Sequence, residues 1–171
     1  MESTPDVQFR IISLTEDENK VQVAEFVAMM GRMYDYHAGL HPDWQQKPGW
    51  QKNSRSWIKK AAGNNEWFFA MAYPESAQNL PAAAGYIIAG FHYEAPLFIR
   101  SRYGYIADMW VEPDQRGTGA ATALLEAALA FLKAQGVDRV QLEVMVNNEA
   151  GKRFWQKAGF EPFELIMRRD L

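Results

Sequence analysis

Between Tyr105 and Leu125 the chain reads YIADMWVEPDQRGTGAATALL: a strand-like run, a proline, the turn Gln115-Arg116-Gly117-Thr118-Gly119-Ala120-Ala121, and then a helix-like stretch. Glycines and small residues at such a turn let backbone N–H groups approach a bound group closely. The helix start adds the positive end of its dipole, and Arg116 adds a permanent cation. That is chemistry for a phosphate or pyrophosphate; the alternative is that the glycines serve only the sterics of a strand-to-helix turn. A nucleoside-triphosphate loop is ruled out, because no Gly-Lys-Ser/Thr occurs. A dinucleotide fingerprint misses its third small position at Thr122, and too little chain follows Glu143 to complete a doubly wound sheet. Asp108 is the second reactive candidate. A carboxylate inside IADMWV is costly unless it meets a wet cleft or a partner. It suits a general base or proton relay; alternatively it pairs with an arginine such as Arg102 or lies on an exposed strand face.

The elements that must position these groups follow from composition and periodicity. With 171 residues, 48% hydrophobic and 23% charged, the chain is expected to form one domain over residues 1–171. Its net charge of −3 argues against a sequence-blind nucleic-acid or anionic-membrane binder. The absence of cysteine removes disulfides, thiolate metal sites and thiol nucleophiles. No apolar run approaches a membrane span, and the first residues lack a signal-peptide pattern, so a cytoplasmic location is expected. Strands are predicted over Val7–Ser13, Trp67–Tyr73, Ala82–Tyr93, Tyr103–Val111, Arg139–Val146 and Phe160–Arg169. Helices are predicted from a Thr15/Glu18 capping box to about Met33, over Asn53–Ala62, over Thr118–Gln135 with Gly136 ending it, and over Glu149–Ala158. Gly39 and Pro42 are expected to break the chain after the first helix, and Pro74 to Pro81 to form a hairpin loop. An antiparallel first half then meets a parallel βαβ unit. His37 and His41 stand four apart, but with that break and no third ligand a metal site is not expected.

Val111-x-Pro113-x-x-Arg116-Gly117-x-Gly119-x-Ala121-x-x-Leu124-Leu125 resembles the acetyl-CoA-binding motif of the GNAT acyltransferase superfamily, whose core Gln/Arg-x-x-Gly-x-Gly/Ala is met by Arg116, Gly119 and Ala121. Asn148 to Phe160, NEAGKRFWQKAGF, is similar to the family's second signature. The resemblance implies an α/β GNAT fold, a mixed six- to seven-stranded sheet flanked by about four helices. It implies an N-acetyltransferase that moves an acetyl group from acetyl-CoA, without a metal, to a primary amine of a small molecule or peptide. Acetylation of a protein N-terminus or lysine, or a non-catalytic CoA-binding regulatory role, are the other functions compatible with it. With no cysteine to carry the acyl group, direct attack in a ternary complex is expected. A homodimer is an expectation of the resemblance alone.

The same resemblance implies roles for particular residues. Main-chain N–H groups of Arg116, Gly117, Thr118, Gly119, Ala120 and Ala121 would cradle the pyrophosphate. Met109, Trp110 and Val111 would pair their backbone with the pantetheine arm, an amide near Met109 or Trp110 would stabilise the oxyanion, and Asn148 and Trp155 would lie on the pantetheine side. Asp108 would manage the amine proton. The usual acid is a helical tyrosine, but alignment on Asn148 and Gly159-Phe160 puts Trp155 there, and an indole cannot deliver a proton at neutral pH. Tyr105, or Tyr103, is then the candidate acid unless the thiolate leaves unaided. The segment between the first two helices would line the acceptor pocket, with Tyr34, Asp35, His37 and Trp44 as candidate contacts; alternatively its aromatics are ordinary core and rim residues.

Overall fold

A computed structural model describes residues 7–15, 20–75 and 82–170. Five strands, β1 (Phe9–Ser13), β2 (Trp67–Pro74), β3 (Gly85–Tyr93), β4 (Arg102–Val111) and β5 (Val140–Leu142), form one sheet in the order β1-β2-β3-β4-β5. The first four pair antiparallel and β5 pairs parallel to β4, as the predicted βαβ unit requires. The helices are α1 (Lys20–Leu40), α2 (Trp50–Ala61), α3 (Ala120–Ala134) and α4 (Glu149–Lys157).

The central strands are apolar on both faces because helices cover both. On one face α1 and α2 bring Phe26, Met30, Met33 and Ile58 onto Phe69, Met71, Tyr86, Ile88 and Trp110. On the other, α3 brings Leu124, Ala128 and Leu132 onto Ala70, Ala72, Ile87, Ala89 and Ile106. Small residues let this helix come close: a Cβ on Gly104 would lie 2.8 Å from Leu132 Cδ1. Two polar anchors fix α1 over the sheet. Glu25 accepts from the Tyr73 hydroxyl (3.0 Å) and from the Ala83 N–H (2.7 Å). Arg32 donates through Nε (2.8 Å) and Nη2 (2.7 Å) to Glu112, just beyond β4.

Three expectations change. The first helix does not end near Met33 but runs to Leu40, with Gly39 inside its last turn. Tyr34 and Tyr36 continue the packing face, and their contacts outweigh the roughly 1 kcal/mol that a helical glycine costs. The strand expected to reach Val146 stops at Leu142, and a turn closed by the Asn148 N–H on the Met145 carbonyl (2.8 Å) leads into α4. The last strand, Phe160–Arg169, is not formed, which leaves five strands among the described residues instead of six or seven. Its apolar residues Phe163, Leu165, Ile166 and Met167 are 70–84% exposed. Arg168 instead contacts Asp43 and His41 beyond α1. Glu18 of the capping box and most of the hairpin loop lie outside the described residues.

Candidate active site

The glycine turn has the expected form. Gly117 (φ +79°) and Gly119 (φ +99°) occupy the left-handed region, and among the described residues nothing beyond their immediate chain neighbours lies within 4 Å of where either Cβ would stand. Such backbone excludes most side chains on strain alone. Gly119 is the N-cap of α3 yet offers no side chain to bond the first-turn amides, and no acid lies in that turn. Free N–H donors, a positive helix end and open space at the turn fit a pyrophosphate. The Arg116 side chain does not join them. Its guanidinium lies 4.9 Å from the Trp110 ring centroid and 5.9 Å from that of Tyr36, and Nε donates to the Val111 carbonyl (3.3 Å).

Beside the turn, β4 has one edge half free. β5 pairs only with Gly104, Tyr105 and Ile106, so from Ala107 to Val111 no described strand covers that side. The uncovered stretch through Met109, Trp110 and Val111 suits an extended ligand that pairs as an added strand; within it the Trp110 carbonyl is turned toward Gly85 of β3, and the Val111 carbonyl accepts from Arg116 Nε. A bulge sits at this boundary: Ile88 faces Asp108 and Ala89 faces Ile106, so Ala107 has no partner in the ladder. Ile106 packs toward α3 whereas Ala107 packs toward α1. Strict alternation would return Asp108 to the α3 face; the extra residue keeps it, with Trp110, on the α1 face.

There the Tyr34 hydroxyl donates to Asp108 Oδ2 (3.2 Å). Burial pushes the Asp108 carboxyl up to about 7, and the Tyr34 hydrogen bond opposes only part of that rise. Tyr34 is raised by its own burial and by the facing carboxylate, so it stays a protonated donor. Arg102 is engaged elsewhere, over the Phe91 ring and on the Gln135 carbonyl (3.2 Å), so the alternative pairing of Asp108 is replaced by the tyrosine.

Of the other acceptor-side candidates, His37 packs edge-on to Trp44 (5.1 Å), and burial lowers its pKa. Its Nδ1 is buried without a partner among the described residues. Asp35 is exposed, and Trp44 is 43% exposed. Trp50, which the sequence reading passed over, supports Tyr34 edge-on at 5.2 Å. His41 caps the turn at Pro42–Trp44 by accepting from the Asp43 N–H (3.3 Å). No group of three or more His, Cys, Asp or Glu could hold a metal ion among the described residues.

On the strand, burial, Glu143 and Asp108 push the Tyr105 hydroxyl up to about 12. The Tyr103 hydroxyl is within 2.8 Å of His92 Nδ1. On α4, Asn148 is the N-cap, its Oδ1 accepting from the Gly151 N–H (3.0 Å). The helix ends with Gly159 at φ +90°, the Gly159 N–H on the Gln156 carbonyl (3.1 Å) and the Phe160 N–H on the Trp155 carbonyl (2.9 Å). The hydrophobic contact that accompanies such an end is Trp155 on Phe160, 5.4 Å between rings. The closing Gly-Phe pair and Trp155 thus share one local structural cause.

The profile of the Acetyltransferase (GNAT) family matches residues 30–160, and the chain belongs to that family. In sequence, 65 residues are 37% identical to N-alpha-acetyltransferase 30 of Schizosaccharomyces pombe, covering 38% of this chain and 43% of that protein. The chain thus matches less than half the length of this relative. Two solved structures share the fold. One is the BH1408 protein of Bacillus halodurans, as a tetramutant (TM-score 0.77, 20% identity, 95% of this chain and 99% of that one). The other is AAC(6')-Iy with the bisubstrate analogue CoA-S-monomethyl-acetylneamine (TM-score 0.69, 17% identity, 96% and 99%).

Proposed function

We propose that this protein transfers the acetyl group of acetyl-CoA to the primary amine of a small molecule or peptide. One observation carries the reading: the uncapped, glycine-opened start of α3, the unpaired stretch of β4 and Asp108, held by Tyr34 from α1, adjoin one another along a single strand-turn-helix segment. The turn amides from Arg116 to Ala121 hold the pyrophosphate, and the backbone of Met109, Trp110 and Val111 receives the pantetheine arm. Bound acetyl-CoA supplies a thioester carbon open to a nucleophile. An alkylammonium near pKa 10.4 must lose a proton before it attacks. An Asp108 carboxylate poised near neutrality accepts that proton, directly or through a water, while Tyr34 holds it in place. The N–C bond forms, the C–S bond breaks, and the electron pair leaves on sulfur. A thiol of pKa about 8.5 departs as thiolate without a protein acid. Tyr105, held up to about 12 among acidic groups, is a weak donor for that step.

The relative named as an N-alpha-acetyltransferase favours a peptide N-terminus as a second acceptor class, and the neighbour holding an acetylneamine analogue favours a small amine. Thiol release from acetyl-CoA across aminoglycosides, polyamines, amino acids and N-terminal peptides tests both. Turnover with one class identifies the acceptor; acetyl-CoA binding with no turnover on any of them would leave a CoA-binding regulatory module.

A further inference from the structure

Tyr36 stands where three parts of the site meet. It belongs to α1, its ring centroid lies 5.8 Å from that of Trp110 on the open stretch of β4, and the Arg116 guanidinium of the glycine turn lies over it at 5.9 Å. Its hydroxyl donates to Asn148 Oδ1 (3.2 Å) at the start of α4, across 112 residues of sequence. That oxygen also accepts from the Gly151 N–H (3.0 Å). Two donors converging on one oxygen fix which way the amide faces, and Nδ2 is left as a donor without a protein partner among the described residues. Gly151 is part of the arrangement, because a Cβ there would stand 2.7 Å from Nδ2.

We propose that Tyr36 is a positioning residue for the cofactor: it holds the Asn148 amide so that Nδ2 is presented at the opening beside β4 to an amide carbonyl of the pantetheine arm. A capping Asn held only by Gly151 keeps its oxygen in place but is free to swing about its side-chain torsions. The Tyr36 hydroxyl, anchored by a ring packed on Trp110, removes that freedom before the ligand arrives. This inference rests on the acetyl-CoA reading above, and the two fail separately.

Titration calorimetry on the intact protein compares acetyl-CoA with 3′-phospho-ADP, which shares the nucleotide and pyrophosphate but has no pantetheine. Tyr36→Phe keeps the ring contacts and removes the hydroxyl. It should weaken acetyl-CoA about fivefold, as loss of one neutral hydrogen bond does, and leave 3′-phospho-ADP within about twofold. In turnover the change should fall on KM for acetyl-CoA more than on kcat. Asn148→Asp retains the helix cap but loses the Nδ2 donor. It should weaken acetyl-CoA by itself and make Tyr36→Phe silent in the double variant. Equal weakening of both ligands by Tyr36→Phe, unchanged acetyl-CoA affinity, or additive losses in the double variant would each overturn the proposal. A wild-type protein that binds neither ligand would sink the acetyl-CoA reading itself.

Discussion

The two faces of the sheet are built for different tasks, and β4 serves both. Toward α3 it presents Ile106, Met109 and Val111 to a cluster of alanines and leucines that holds a helix close. Toward α1 it presents Ala107, Asp108 and Trp110 to Tyr34, Tyr36 and Tyr86, where methionines and aromatics fill the space around the Asp108 carboxylate. The α3 face sets the position of the glycine turn by packing. The α1 face holds Asp108, the group proposed to manage the amine proton, and meets part of the cost of burying it with the Tyr34 hydrogen bond. On the proposed reading, packing and chemistry fall on different faces, and the unpaired Ala107 places Asp108 on the α1 face.

The largest effect that sharpens this contrast should come from Asp108→Asn. Turnover should fall roughly 10²–10⁴-fold, with acetyl-CoA affinity nearly unchanged and the deficit smaller at high pH, where more amine is already neutral. Stability should move the other way. A carboxyl raised on folding from 3.8 to about 7 favours the fold most below pH 3.8, and that advantage is lost as pH rises through about 7. Melting curves of the Asp108→Asn protein against wild type should therefore show a higher Tm at pH 8 and convergence near pH 4. An Asp108→Asn protein with full turnover, or with lower stability at pH 8, would break the assignment of the α1 face to chemistry.

Gly119→Val comes next. A β-branched residue at φ +99° is strained and intrudes on open space, so the rise in Tm caused by acetyl-CoA should largely vanish. An undiminished ligand-induced shift would remove the glycine turn from the cofactor site. Tyr34→Phe should act more mildly. Its hydrogen bond lowers the Asp108 pKa, so its loss should move the acidic limb of the kcat/KM profile upward from about pH 7. The rate should fall several-fold at pH 7 and recover by pH 9; an unshifted limb would mean that the limb reports another group. Smallest of all should be Trp155→Phe. A phenyl ring can still meet Phe160 at the helix end, so thiol-release rates should stay within about twofold. A loss of tenfold or more would give the indole N–H a part in the reaction.

Much of the site was legible in the chain because it depends on local rules. Gly117 and Gly119 announce left-handed backbone ahead of a helix, and Asn148, Gly159 and Phe160 announce a cap and a helix end. Val23, Phe26, Val27, Met30 and Met33 announce a buried face, and all five are at most 4% exposed. These signals survive in sequence because each acts over a few residues. Other features are decided at long range. Gly39 and Pro42 read as one break, but packing around Tyr34 and Tyr36 carried α1 through the glycine. The apolar alternation of Phe163 to Met167 reads as a strand, yet a strand exists only where another edge completes its hydrogen bonds. The sequence by itself determined that Asp108 sits in an apolar strand next to a phosphate-fitting turn. Which face it looks toward, and that Tyr34 and Tyr36 from α1 reach it and Asn148, only the tertiary structure decided, since one unpaired residue in a ladder reverses a side chain's direction without altering its sequence pattern.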